Sequence, residues 1–179
     1  EAVAFFSQLV NTYEFIFSNV PGSNFSVSKV KPDSNIFYEL MEIFSICGIS
    51  NSLSPNPLNI LHLFCNQSQN NVQSINYLID VLREDIQGSD VITDLCLDET
   101  NSVSNFDLGI FEISSNEKDI DNYVCKFIKL LLFICRSQTY NGCSIIKIKH
   151  IYHKPLLDCI YMLCSLFDKV YICKPSVSN

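Results

Sequence analysis

Residues 141–179, NGCSIIKIKHIYHKPLLDCIYMLCSLFDKVYICKPSVSN, decide the fold class of this chain. A small-residue turn at Asn141 and Gly142 leads into a β-branched run carrying Lys147, and an amphipathic helix follows. A second short strand over residues 170–173 then ends in Lys174, Pro175 and Ser176. Strand, helix and strand in that order predict a parallel pair with a crossover helix, because parallel neighbours cannot be joined by a tight turn.

Upstream, the same alternation recurs. Residues 58–64, LNILHLF, form a short apolar run bounded by polar residues, consistent with a strand buried on both faces. The polar turn CNQSQNN leads from it into a helix, VQSINYLIDVLRED. Residues 91–97, VITDLCL, read as a second strand and residues 106–113, FDLGIFEI, as a third, with a long helix over residues 119–138 before the turn at Asn141. Strands and helices at this spacing predict an α/β fold with a doubly wound, mostly parallel sheet. Ahead of it, residues 2–20 set Phe5, Phe6, Leu9, Tyr13, Ile16 and Phe17 at helical spacing. Pro21 and Gly22 end that helix; Asp33 or Ser34 can cap another over residues 36–46, which Gly48 closes. The loop NSLSPNP separates this helical annex, residues 1–57, from one compact α/β domain, residues 58–179.

Composition narrows the function classes. The 179 residues hold 12 Lys and Arg against 19 Asp and Glu, a formal charge of −7, which argues against a generic nucleic-acid binder. Most of the basic residues follow Lys118, so a local basic surface stays open. Nine cysteines contain no CxxC pair and sit mainly in apolar runs, as reduced thiols of a cytoplasmic compartment do. No apolar run reaches the roughly 18 residues of a membrane span. Because Glu1 is not Met, the chain reads as a processed product or an excerpt, and a strand returning after Asn179 is expected in the parent.

Ligands of an open α/β sheet bind beyond the carboxyl ends of its strands. Three places qualify. The turn after residue 64 contains Cys65, Asn66, Ser68 and Asn70, and reads either as a cofactor turn without glycine or as an ordinary polar connection. Glu112, near the end of its strand, is either a functional carboxylate or a solvated one. Lys147 lies on one strand face with Ile145 and Lys149, and needs an anionic partner, for which Glu112 is the candidate, or a route to water. His150 and His153 lack the further ligands of a metal site, so no metal is expected.

These residues resemble those of the FtsJ/RrmJ-like RNA 2′-O-methyltransferases, a family that includes viral cap methyltransferases. Gly142-Cys-Ser-Ile-Ile-Lys147 is similar to the family's Gly-rich turn and Lys-bearing strand, and Val170-Tyr-Ile-Cys-Lys174-Pro175-Ser-Val-Ser178 to its strand ending in Lys-Pro-x-x-Ser. Leu61-His-Leu-Phe-Cys-Asn resembles the cofactor strand, and Asp107-Leu-Gly-Ile-Phe-Glu112 stands where the family has Asp-x-x-x-x-Asp. The resemblance implies a Rossmann-like methyltransferase fold and methyl transfer from S-adenosylmethionine to a ribose 2′-hydroxyl of capped RNA, through a Lys-Asp-Lys-Glu tetrad. Lys147 matches the second Lys, and Glu112 replaces the Asp. Glu39 stands where the first Lys opens a helix, so Lys29 or Lys31 would substitute, and the final Glu would lie past Asn179. Where the family has Pro-Gly-Gly, this chain has Ser68, Gln69 and Asn70. Two expectations follow: a degenerate domain, viral in origin, binding protein partners in a capping or RNA-processing assembly, or an active enzyme using Lys147, Glu112 and Lys29.

Overall fold

The computed structural model describes residues 32, 34–49, 53, 59–64, 69–82, 89–91, 105–113, 120–148, 151–176 and 178. Among them, strands and helices alternate. Helix α1 (Ile36–Cys47) precedes strand β1 (Ile60–Phe64), helix α2 (Gln69–Leu82), strand β2 (Ser89–Val91) and strand β3 (Phe106–Glu112). Helix α3 (Ile120–Ser137), strand β4 (Gln138–Lys147) and helix α4 (Lys154–Leu166) complete the series. The strands form one sheet in the order β2-β1-β3-β4, and every pairing is parallel. The chain is therefore α/β, and no helix among the described residues is long and apolar enough to cross a membrane.

Two compact units divide the chain. The first gathers Glu1–Ser52, Ser68–Glu84 and Ile172–Asn179. Within it, α1 buries Phe37, Leu40 and Phe44, and α2 buries Ile75, Leu78 and Ile79. Phe37 stacks on Tyr77 with ring centroids 5.4 Å apart, and the Ser34 hydroxyl donates to Asn71 Oδ1 at 2.6 Å. Gly48, at φ 62°, ends α1 in the left-handed conformation and donates its N–H to the Phe44 carbonyl.

The second unit, Leu53–Gln67 and Asp85–Tyr171, holds the sheet. Strand β3 lies between β1 and β4 and is buried over Leu108, Gly109, Ile110 and Phe111, as a central parallel strand should be. Helix α3 carries a stripe of Tyr123, Phe127, Leu130, Leu131 and Ile134, spaced so that one face meets the core. That stripe packs with Leu61, Phe111 and Ile113 of the sheet side and with Leu156 and Cys159 of α4. Asp121 in its first turn and Arg136 in its last oppose the partial charges of the helix ends. The aromatic centre is Phe106, Phe111 and Phe133, with Phe106 and Phe111 edge-on at 5.6 Å and Phe106 stacked on Phe133 at 6.0 Å.

The amino end of the sheet is pinned by one side chain. Asp107 Oδ2 accepts the Asn59 N–H at 2.9 Å, and Oδ1 accepts the Thr139 hydroxyl at 2.6 Å. Asp107 N–H returns a bond to the Asn59 carbonyl at 2.8 Å. The starts of β1, β3 and β4 are thereby joined.

Two expectations drawn from residues 141–179 are corrected. Asn141 and Gly142 do not turn the chain into the strand; they lie inside it, because β4 already begins at Gln138, directly after α3. Phe106 pairs with Gln138 and Leu108 with Cys143, so two steps along β3 match five along β4, an excess of three residues. A bulge absorbs that excess, with Asn141 at φ 66°. Inside it, Gln138 donates to the Gly142 carbonyl at 2.7 Å and accepts from the Ser144 hydroxyl at 2.6 Å. A Cβ on Gly142 would stand 2.9 Å from the Asp107 carbonyl oxygen, which explains the glycine.

The second correction concerns residues 170–173, which form no strand; Tyr171 and Ile172 are exposed. β-Branched and aromatic residues favour a strand only where a partner edge is available, and the end of this segment meets helix α1 instead, with Cys173 Sγ 3.9 Å from Cys47 Sγ. The parallel strand-helix-strand unit that contains β4 is β3-α3-β4, with β4 as its last strand and not its first. The helix expected over residues 2–20 lies outside the described residues, and so does the strand expected over residues 91–97 apart from Val91, which ends β2.

Gly109 gives a direct test of the aromatic packing. A Cβ there would run into the Phe111 ring and approach Phe106 Cε2 to 2.7 Å. Gly109→Ala is therefore expected to lower unfolding stability by about 1–3 kcal/mol through overpacking. That outweighs the ~0.4–1 kcal/mol gained from a stiffer unfolded chain. Denaturant titration of both proteins measures the difference.

Candidate functional site

Strands β1, β3 and β4 end level with one another. Register pairs Phe64 with Glu112 and Glu112 with Lys147, so the carboxyl edge of the sheet carries a carboxylate beside an amine. Register partners on neighbouring strands lie roughly 4.8 Å apart and project to the same face. Glu112 is half-buried and Lys147 exposed. An ammonium beside a carboxylate at this edge can bind an anionic or hydroxyl group and orient it.

One step deeper on the same face stands His62. Its register partner on β3 is Ile110, two residues before Glu112, and Ile110 pairs in turn with Ile145, two residues before Lys147. His62 is 1 % exposed, and neither ring nitrogen has a hydrogen-bond partner among the described residues. Burial disfavours the charged ring and pushes its pKa down to about 4. His62 is thus neutral at physiological pH. Sequence reading passed over it, although a His at the middle of an apolar run expected to be buried on both faces was the available signal.

The other residues singled out by sequence are placed differently. Lys29, Cys65, Asn66 and Ser68 lie outside the described residues, and so does Lys31. Asn70 is the second residue of α2. Glu39, where the resemblance expects a lysine, is buried on α1. His153 is the N-cap residue of α4 and its ring lies 4.6 Å from that of Tyr152, while His150 lies outside the described residues. Among the described residues no three His, Cys, Asp or Glu gather in a way that could hold a metal ion.

The resemblance places the S-adenosylmethionine turn in the sequence that follows β1. With β1 ending at Phe64 and α2 beginning at Gln69, that connection is residues 65–68, Cys-Asn-Gln-Ser. It contains no glycine and is followed by Gln69 and Asn70, and residues 65–68 lie outside the described residues. No family model matches the chain, and neither the curated proteins nor the solved structures compared with it give a match.

His62 makes stability depend on pH in a defined direction. The unfolded ring takes up a proton near pH 6.5, whereas the folded ring stays neutral until about pH 4. Protons therefore bind the unfolded chain preferentially between these values, and stability falls as pH drops from 6.5 to 4, by up to about 3 kcal/mol from this group. Above pH 6.5 the contribution is constant. Replacing the ring by a similar apolar side chain, His62→Leu, is expected to flatten that window in unfolding titrations at pH 7, 6, 5 and 4. An unchanged pH slope in the variant would assign the acid sensitivity elsewhere.

Proposed function

We propose that the chain carries an FtsJ-like RNA 2′-O-methyltransferase-type domain of Rossmann-like, doubly wound architecture that has lost its cofactor chemistry. It serves as a structural or partner-binding module in an RNA-processing or capping assembly, of viral origin. The observation that carries this reading is the connection between β1 and α2, four residues long and without glycine. A parallel sheet with a lysine at the end of β4 supports the ancestry. The exchange of Pro-Gly-Gly for Ser68, Gln69 and Asn70 supports the loss. Partner binding draws support from α4, which leaves Leu157, Tyr161, Met162 and Leu166 exposed.

One observation favours a second reading, an active S-adenosylmethionine-dependent RNA ribose 2′-O-methyltransferase. Glu112 and Lys147 are register partners at the edge where such chemistry belongs, with Lys29 as the further lysine. In that reading the amine holds the ribose hydroxyl and the carboxylate sets its orientation.

Calorimetry of the full-length protein with S-adenosylmethionine separates the two. The proposal expects no heat of binding up to millimolar cofactor; micromolar affinity would overturn it. Under the second reading, Lys147→Ala should lower methyl transfer to capped RNA by about 10²–10⁴-fold with cofactor affinity nearly unchanged. Retained turnover in that variant would exclude Lys147 from the reaction.

A further inference from the structure

Within the first unit, helix α1 and the C-terminal residues are joined at two points. The Glu42 carboxylate accepts the Ser176 N–H at 2.8 Å through Oε2 and the Ser176 hydroxyl at 2.9 Å through Oε1. At the end of the helix, Cys47 Sγ lies 3.9 Å from Cys173 Sγ, although 126 positions separate them in sequence. Both are free thiols, Cys173 exposed and Cys47 half-buried. The carboxylate clamp one turn away fixes the tail where the two sulfurs face each other.

We propose that Cys47 and Cys173 are a redox pair whose disulfide locks residues 173–176 onto helix α1 under oxidising conditions. The oxidant is a small-molecule disulfide of the glutathione class. The exposed Cys173 loses its proton and its thiolate attacks one sulfur of that disulfide, forming a mixed disulfide and expelling one thiolate, which takes up the proton. Cys47 then loses its proton and attacks the Cys173 sulfur, expelling the second small thiol. Two protein thiols become one disulfide, and one small disulfide is reduced to two thiols. The sulfurs close from 3.9 Å to the ~2.05 Å of the bond by side-chain rotation at the helix end and in the exposed tail.

Burial, then the hydrogen bond and charge of Cys173, push the Cys47 thiol above its ordinary value. Cys47 therefore suits the second, intramolecular step, in which proximity offsets a small thiolate fraction. The exchange accelerates as pH rises. Under reducing conditions the Glu42 clamp and the thiol contact hold the tail without a covalent bond.

The test uses the reduced full chain, incubated with oxidised glutathione at pH 8, alkylated, and mapped by mass spectrometry without reduction. The expected result is a peptide linking Cys47 to Cys173 as the main intramolecular product, absent from Cys47→Ser and from Cys173→Ser. The unfolding midpoint of the wild-type chain alone should rise, by roughly 5–15 °C, because the bond closes a long loop. Cys125, Cys135 and Cys164 are exposed and report that the oxidant reached the protein. If they carry glutathione while Cys173 is found only as a glutathione adduct, or joined to another cysteine or another molecule, the proposal is overturned.

Discussion

The Asp107 carboxylate is the constraint on which the sheet depends. Its two oxygens hold the Asn59 N–H and the Thr139 hydroxyl, so the starts of β1 and β4 are fixed against β3 by charge-assisted hydrogen bonds. Register in a sheet is all or nothing: a slip of one residue moves every side chain of a strand to the opposite face. With the amino end pinned, the pairs Leu61 with Gly109 and Gly109 with Ser144 follow, and so does Glu112 with Lys147 at the other end. The bulge in β4 belongs to the same device, since Gly142 lets the Asp107 backbone approach to a distance that a Cβ would forbid.

The two faces of β3 are resolved by different physics. On one, Phe106 and Phe111 fold their rings over Gly109 and meet Phe133 of α3, so a missing side chain makes room for two aromatic ones. On the other, His62 occupies a place in the core without a hydrogen-bond partner among the described residues. A buried polar group in that state costs on the order of 1–3 kcal/mol, which an aliphatic side chain would not. Its position one step below Glu112 and Lys147 sets a neutral, desolvated ring beneath an edge that carries both signs of charge.

Much of the fold was legible in the sequence, and the misreadings share a cause. Residues 60–64, 106–112 and 120–137 were readable because apolar run length and period separate buried strands from amphipathic helices. Gly48 was readable as a helix stop because its left-handed conformation is a local property. Asn141 and Gly142 carried a genuine local signal, a residue at positive φ followed by one without a Cβ, but the same geometry serves a bulge as well as a turn. Residues 170–173 have strand composition, yet pairing is a tertiary matter that composition cannot supply. Glu112 and Lys147 could be named from strand ends and as candidate partners, whereas the three extra residues in β4 that bring them level are announced by no pattern in the sequence.

The edge of β3 and β4 keeps a carboxylate and an amine as register partners, and the register of these two strands creates that pair. Cross-strand nuclear Overhauser contacts between backbone protons of β3 and β4 measure it directly. The account predicts contacts that pair Ile110 with Ile145 and Glu112 with Lys147, preceded by a break between Gln138 and Cys143. Contacts displaced by one residue, joining Glu112 to Ile146 or Ile148, would turn Lys147 to the opposite face and contradict it.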